Sequence, residues 1–208
     1  MGALDHLADT SFAWHMVEHL ILLFIIPLLV LLARPLAIVR GIAGKRIAAS
    51  LVRKTRALHV LGQPAVAFTL VTGYLWVLHF SPLYESALEH SLVHLGEHAL
   101  LLGVGVIFWL PVLCPSPLRV LPYPTRLLYL MLSLPQGALL AFAIDGARAP
   151  LYPHYAALMP PAIALADQQN GAAVMWIGGG MVVFIAFLAT LGAWALHESA
   201  GEFTGEAA

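Results

Sequence analysis

The sequence predicts an all-α, polytopic transmembrane helical bundle of about five spans, N-terminus outside and C-terminus cytoplasmic. Three observations carry this. Charged residues make up only 10% of the 208 positions while 61% are hydrophobic, and the mean hydropathy is +0.87. A water-soluble domain carries roughly 25% charged residues, so this chain cannot coat a water-facing surface. The apolar residues also fall in runs near the ~20 residues a helix needs to cross the hydrocarbon core. Finally, the basic residues gather in one connection.

The runs lie at about 14–33, 60–80, 92–113, 126–144 and 172–196. Each is expected to be helical, because in lipid every backbone polar group must find its partner within the segment. Pro27 and Pro135 fall inside runs, where a missing N–H predicts local kinks. The connection from Asp145 to Gly171 is broken by Pro150, Pro153, Pro160 and Pro161 and is expected to fold back over the helix ends. No repeat or composition shift divides the chain, so 1–208 reads as one membrane domain. The first ten residues carry Asp5 and Asp9 and no basic residue, unlike a cleaved leader, so the first run is expected to be retained.

Orientation follows the Lys/Arg bias. Arg34, Arg40, Lys45, Arg46, Arg53, Lys54 and Arg56 lie between the first two runs, and Arg119 and Arg126 flank the third connection. These connections are therefore expected to be cytoplasmic, the first also lying against anionic lipid. Trp14, Trp76 and Trp176 fit an outer aromatic belt, and Trp109 and Trp194 an inner one. A net charge of −1 offers no field for nucleic acid. The single cysteine, Cys114, excludes an internal disulfide or a cysteine-rich metal site.

On this topology every histidine except His59 and His197 falls at or near the outer face, as do Asp5, Asp9, Glu18, Glu85, Glu89, Glu97, Asp145 and Asp167. Ionisable groups within spans are costly and usually functional. The first run opens with His15-Met16-Val17-Glu18-His19, and the third with His94-Leu95-Gly96-Glu97-His98. Histidines four apart stack on one helix face, so both imidazoles can reach one ion. Two such pairs on separate helices can converge, and His79 at the outer end of the second run adds a third helix. One pair alone can be no more than half-solvated interfacial histidines. Two pairs and His79 at one depth point to a metal or cofactor site at His15, His19, His79, His94 and His98.

Neutral imidazole suits copper, zinc, iron and nickel. Met16 and Met175 can add thioether donors for Cu(I), although methionine in a span is more often packing. Glu18 and Glu97 can ligate, orient a histidine or act as bases, orientation being favoured. Asp167 can cap a helix or reach across to orient the histidines.

In order along the chain, several motifs resemble the CtaG family of cytochrome c oxidase assembly factors from the Bacillus, caa-type lineage. The first is His15-Met16-x-x-His19 entering a span with Pro27 and Arg34-Pro35. Then come Trp76-x-x-His79-x-x-Pro82-Leu83-Tyr84, His94-x-x-Glu97-His98 and Phe108-Trp109-x-Pro111. Asp167-Gln168-Gln169-x-Gly171-x-x-x-Met175-Trp176 completes the set, and the resemblance runs from Trp14 to Trp194. It implies a bacterial cytoplasmic-membrane protein that helps to mature a haem–copper oxidase, with copper handling on the outer side centred on the same five histidines. The expected cargo is copper, with zinc or iron as other candidates. The expected partners are membrane lipid, an oxidase subunit or a copper donor. Two readings compete with this non-enzymatic one. A membrane metalloenzyme, zinc-peptidase-like or di-metal, fits the doubled His-x-x-Glu-His. A haem-b electron carrier fits if His15 or His19 faces His94 or His98.

Overall fold

The computed structural model describes residues 3–33, 56–114 and 120–205. The basic stretch from Arg34 to Lys54, with the Arg34-Pro35 pair, and Arg119 lie outside the described residues. Among the described residues there is no strand. The helices are α1 (Ala3–Ala8), α2 (Phe12–Leu32), α3 (Arg56–Leu61), α4 (Pro64–Phe80), α5 (Pro82–Glu89), α6 (Ser91–Leu113), α7 (Tyr123–Asp145), α8 (Pro153–Leu158) and α9 (Pro161–Ala200).

Of these, α2, α6, α7 and α9 are long and apolar enough to cross a membrane. A fifth crossing results if α4 and α5, bent by 67° at Ser81, count as one. The bend has a local cause. Pro82 disfavours helical backbone at the residue before it, and Ser81 is extended, with its hydroxyl accepting the Leu83 N–H to start α5. α4 itself starts later than its apolar run, because Gly62 and Gln63 break the chain and Pro64 takes the first helical turn.

α9 runs for 40 residues and begins at Pro161, well before the hydrophobic run that predicted it. The polar stretch Asp167–Asn170 is therefore helix rather than loop. Pro153 and Pro161 likewise sit in the first turns of α8 and α9. The prolines of the long connection thus start helices as well as interrupt the chain.

The spans close into a ring: α2 packs on α6, α6 on α4, α4 on α7, α7 on α9, and α9 back on α2. Pro27 brings no N–H to the Leu23 carbonyl, and α2 widens to π-helical turns over Ile21–Ile25. Gly105 of α6 fits closely there, since a Cβ would strike the Leu23 carbonyl and the Pro27 ring. Trp109 donates its indole N–H to the Phe24 carbonyl at 2.9 Å. This bond corrects the expected place of Trp109, which is buried in the bundle and not in an inner belt. Trp14, Trp76 and Trp176 are exposed. α7 continues through Pro135 as one helix.

Two apolar clusters fill the ring. One gathers Leu23, Phe24, Leu101, Phe108, Trp109 and Leu130, and the other Phe12, Met16, Leu78, Tyr84, Tyr152 and Tyr155. Between the spans lies a cavity of about 80 Å³ with Leu23, Val71, Leu101, Ser133 and Gly179 in its walls. His19 and His79 also border it, so it adjoins the histidine site.

Candidate metal centre at one end of the ring of spans

The histidines of α2, α4 and α6 meet at one end of the ring. Donor atoms of His15, His19, Glu97 and His98 all lie within 4.8 Å of one another. His15, His19 and Glu97 are buried. His15 Nε2 and His19 Nε2 are 2.8 Å apart. Glu97 Oε1 lies 3.2 Å from His19 Nε2, and Oε2 lies 3.5 Å from His98 Nε2. The remaining two histidines flank this core. His94 packs on His98 at 4.1 Å between ring centroids and on His15 at 5.4 Å. His79 faces His19 at 6.5 Å.

The hydrogen-bond network fixes which nitrogens are free to ligate. His79 Nδ1 sits 2.8 Å from the Leu75 carbonyl, which can only accept, so Nδ1 carries the proton and Nε2 keeps its lone pair. That Nε2 is buried with no hydrogen-bond partner, as is His94 Nε2. Tyr155 donates its hydroxyl proton to the Ala8 carbonyl at 3.0 Å. Its oxygen, 2.9 Å from His15 Nδ1, must therefore accept from that nitrogen. His15 Nε2 is then a lone pair too, facing His19 Nε2. Buried lone pairs at this spacing require a proton or a cation between them. Imidazole nitrogens with a carboxylate are the donor set of a borderline transition metal, so the residues present fit a metal ion.

An aromatic roof closes the site at that end of the ring. Phe12 stacks on Tyr152 at 4.6 Å and meets Tyr84 and Tyr155 edge-on at 5.9 and 6.0 Å. Tyr84 lies 5.8 Å from His79 in a stacked pose and 5.3 Å from His15. Burial pushes the Tyr155 phenol well above the ordinary tyrosine range, so it remains a protonated donor to Ala8. α8, which carries Tyr155, is tied to α5 by the His154 N–H donating to Glu85 Oε1 at 2.6 Å. The tyrosines are the residues that sequence reasoning missed. Tyr84 stood inside a quoted motif, but nothing in the spacing linked Tyr155 to His15, 140 positions away.

The other candidates take different places. Asp167 accepts from the Ser11 hydroxyl and the Phe12 N–H, both at 2.6 Å. It thus caps α2 from another helix and sets the position of the span that carries His15 and His19. Gln168 accepts the Leu151 N–H and donates to the Ile144 carbonyl. Gly171 lies against Phe12, where a Cβ would strike the ring. Met16 is buried in the apolar cluster of Phe12 and Tyr84, and both Met16 and Met175 border the cavity beside the site. Glu18 is buried on α2 but is not among the four converging residues. His6, His59, His90 and His197 are exposed, and His154 is half-buried.

The profile of the cytochrome c oxidase caa3 assembly factor family (Caa3_CtaG) matches residues 1–196. Uncharacterized proteins of Mycobacterium leprae and Mycobacterium bovis are 27% and 25% identical to the chain, over 91% of its length in both cases. The matches take in 31% of each of those proteins, so the chain spans about a third of the length of these curated relatives. No solved structure is significantly similar to it. The profile runs across the whole ring of spans and every residue of the histidine site: the chain belongs to the caa3-type cytochrome c oxidase assembly factor family, as a multi-pass membrane protein.

Proposed function

We propose that the chain takes up a metal ion, copper first among the candidates, at the outer face of the bacterial cytoplasmic membrane and passes it to a haem–copper oxidase subunit. The observation that carries this reading is the meeting of five imidazoles and Glu97 at one end of the ring, with the Nε2 atoms of His79 and His94 buried and without a hydrogen-bond partner. The Lys/Arg bias supports an outside N-terminus, and hence an outer-face site.

The parts divide the work. His15, held by Tyr155, and His19 present lone pairs from α2. Glu97 balances the cation's charge in a buried setting. His98, less buried than Glu97, and His94 form the more open edge, through which cargo can be exchanged with a donor or client. Imidazole ligands on an accessible edge can be replaced one at a time, which transfer requires. The rings pack at 4.1–6.5 Å between centroids, which favours bare ions over a porphyrin slotted between two axial histidines. Glu97 contacts histidines on two helices, which favours a ligating role over that of a base beside an open water position.

Metal analysis of detergent-purified protein tests the reading. Wild type is expected to hold copper after loading and desalting. The double variants His15→Ala/His19→Ala and His94→Ala/His98→Ala are expected to lose most of it. Equal metal content in all three would defeat the shared site. Deletion of the gene is expected to lower assembled oxidase activity, with partial rescue by added copper. Normal oxidase in the deletion strain would remove the oxidase role while leaving metal binding in place.

A further inference from the structure

One ion does not use the donors this site assembles. A tetrahedral ion takes four ligands and Cu(I) is satisfied with fewer. Here five imidazoles converge with both oxygens of a carboxylate. The arrangement around Glu97 is two-sided. Oε1 is directed at His19, 3.2 Å away, and Oε2 at His98, 3.5 Å away. Beyond His19 stands His79, its Nε2 lone pair buried and without a hydrogen-bond partner. Beyond His98 stands His94, whose buried Nε2 is likewise without one, and His15 completes that side at 5.4 Å from His94 and 6.0 Å from His98. His79 and His94 stand outside the compact four-residue group, one on each flank.

We propose that this site holds two metal ions, bridged by the Glu97 carboxylate. His19, His79 and Oε1 serve one; His15, His94, His98 and Oε2 serve the other. Bridged pairs of this kind hold their ions about 3.5–4 Å apart, a separation the span of one carboxylate sets. Charge favours monovalent ions. With Glu97 as the one carboxylate among the converging residues, two Cu(I) ions leave a smaller buried excess of positive charge than two divalent ions would.

The inference rests on the metal-binding reading above, and one experiment separates the two. The full chain in detergent is loaded anaerobically with Cu(I) against a competing chelator, desalted, and its copper counted. X-ray absorption is recorded on the same sample. About two ions per chain with metal–metal scattering near 4 Å are expected. His79→Ala, which leaves only His19 and Oε1 on its side, is expected to drop the count to about one and abolish that scattering. His94→Ala leaves three donors on its side and is expected to keep the count near two with a weaker hold on one ion. Glu97→Gln is expected to abolish the metal–metal signal. A single ion in wild type, or two ions without mutual scattering, would overturn the paired centre while leaving copper binding intact. No retained copper would overturn the metal reading itself. The wild-type count and scattering do not depend on any variant folding.

Discussion

Tyr155 sits on a short helix that crosses no membrane, yet its hydroxyl decides which nitrogen of His15 carries the proton. It can do so because its own proton is committed to the Ala8 carbonyl. Tyr155→Phe keeps the ring and its packing against Phe12 but removes that instruction. The expected result is a metal affinity lower by about 10-fold, measured by chelator competition, with a melting profile in detergent lowered only by the loss of the bond to Ala8. An unaltered affinity would mean that His15 is oriented by packing alone. The residue scale also shows what local sequence can reveal. His15 and His19, or His94 and His98, are four apart, so helical geometry alone places each pair on one face. His15 and Tyr155 share no such period, and only the folded chain brings them together. Glu97 was legible as a candidate, but its division between two histidines depends on how α2 meets α6.

At the scale of elements, the apolar runs announced the spans because lipid demands length and hydrophobicity over everything else. Their ends were less legible, since polar residues near an interface can be loop or helix according to their partners. Asp167–Asn170 is helical because the ends of other segments bond to it: Asp167 takes the first donors of α2, and Gln168 joins Leu151 to the Ile144 carbonyl. Gly62 and Pro64, in turn, cut α4 short of its run. Asp167→Ala leaves the Ser11 hydroxyl and the Phe12 N–H without their acceptor. It is expected to cost about 1–2 kcal/mol of stability, the upper range for a lost helix cap, read from denaturant unfolding in micelles. Asp167→Asn, which retains one acceptor oxygen, is expected to recover part of that loss. Equal stability of all three proteins would show that the cap contributes nothing.

For the whole molecule, the ring of spans sets the histidine site at one end, and the side of the membrane that end faces determines which partners can reach it. The Lys/Arg pattern predicts the outer side, and it can be tested directly because Cys114 is the only native thiol. In a Cys114→Ser background, Thr10→Cys is expected to react with a membrane-impermeant maleimide in intact spheroplasts. Ser199→Cys is expected to react only after permeabilisation. The reverse pattern would place the histidines toward the cytoplasm and end the outer-face reading.

The cap that Asp167 places on α2 joins positions 155 and 156 residues apart. A ribosome makes the chain from its N-terminus, so the first span enters the bilayer long before its cap exists. Until α9 emerges from the insertion machinery, the α2 histidines lack the clamp that orients them. On the metal-binding reading proposed above, a chain that stops before Asp167 is expected to be a poor metal trap, so that uptake waits on the synthesis of α9.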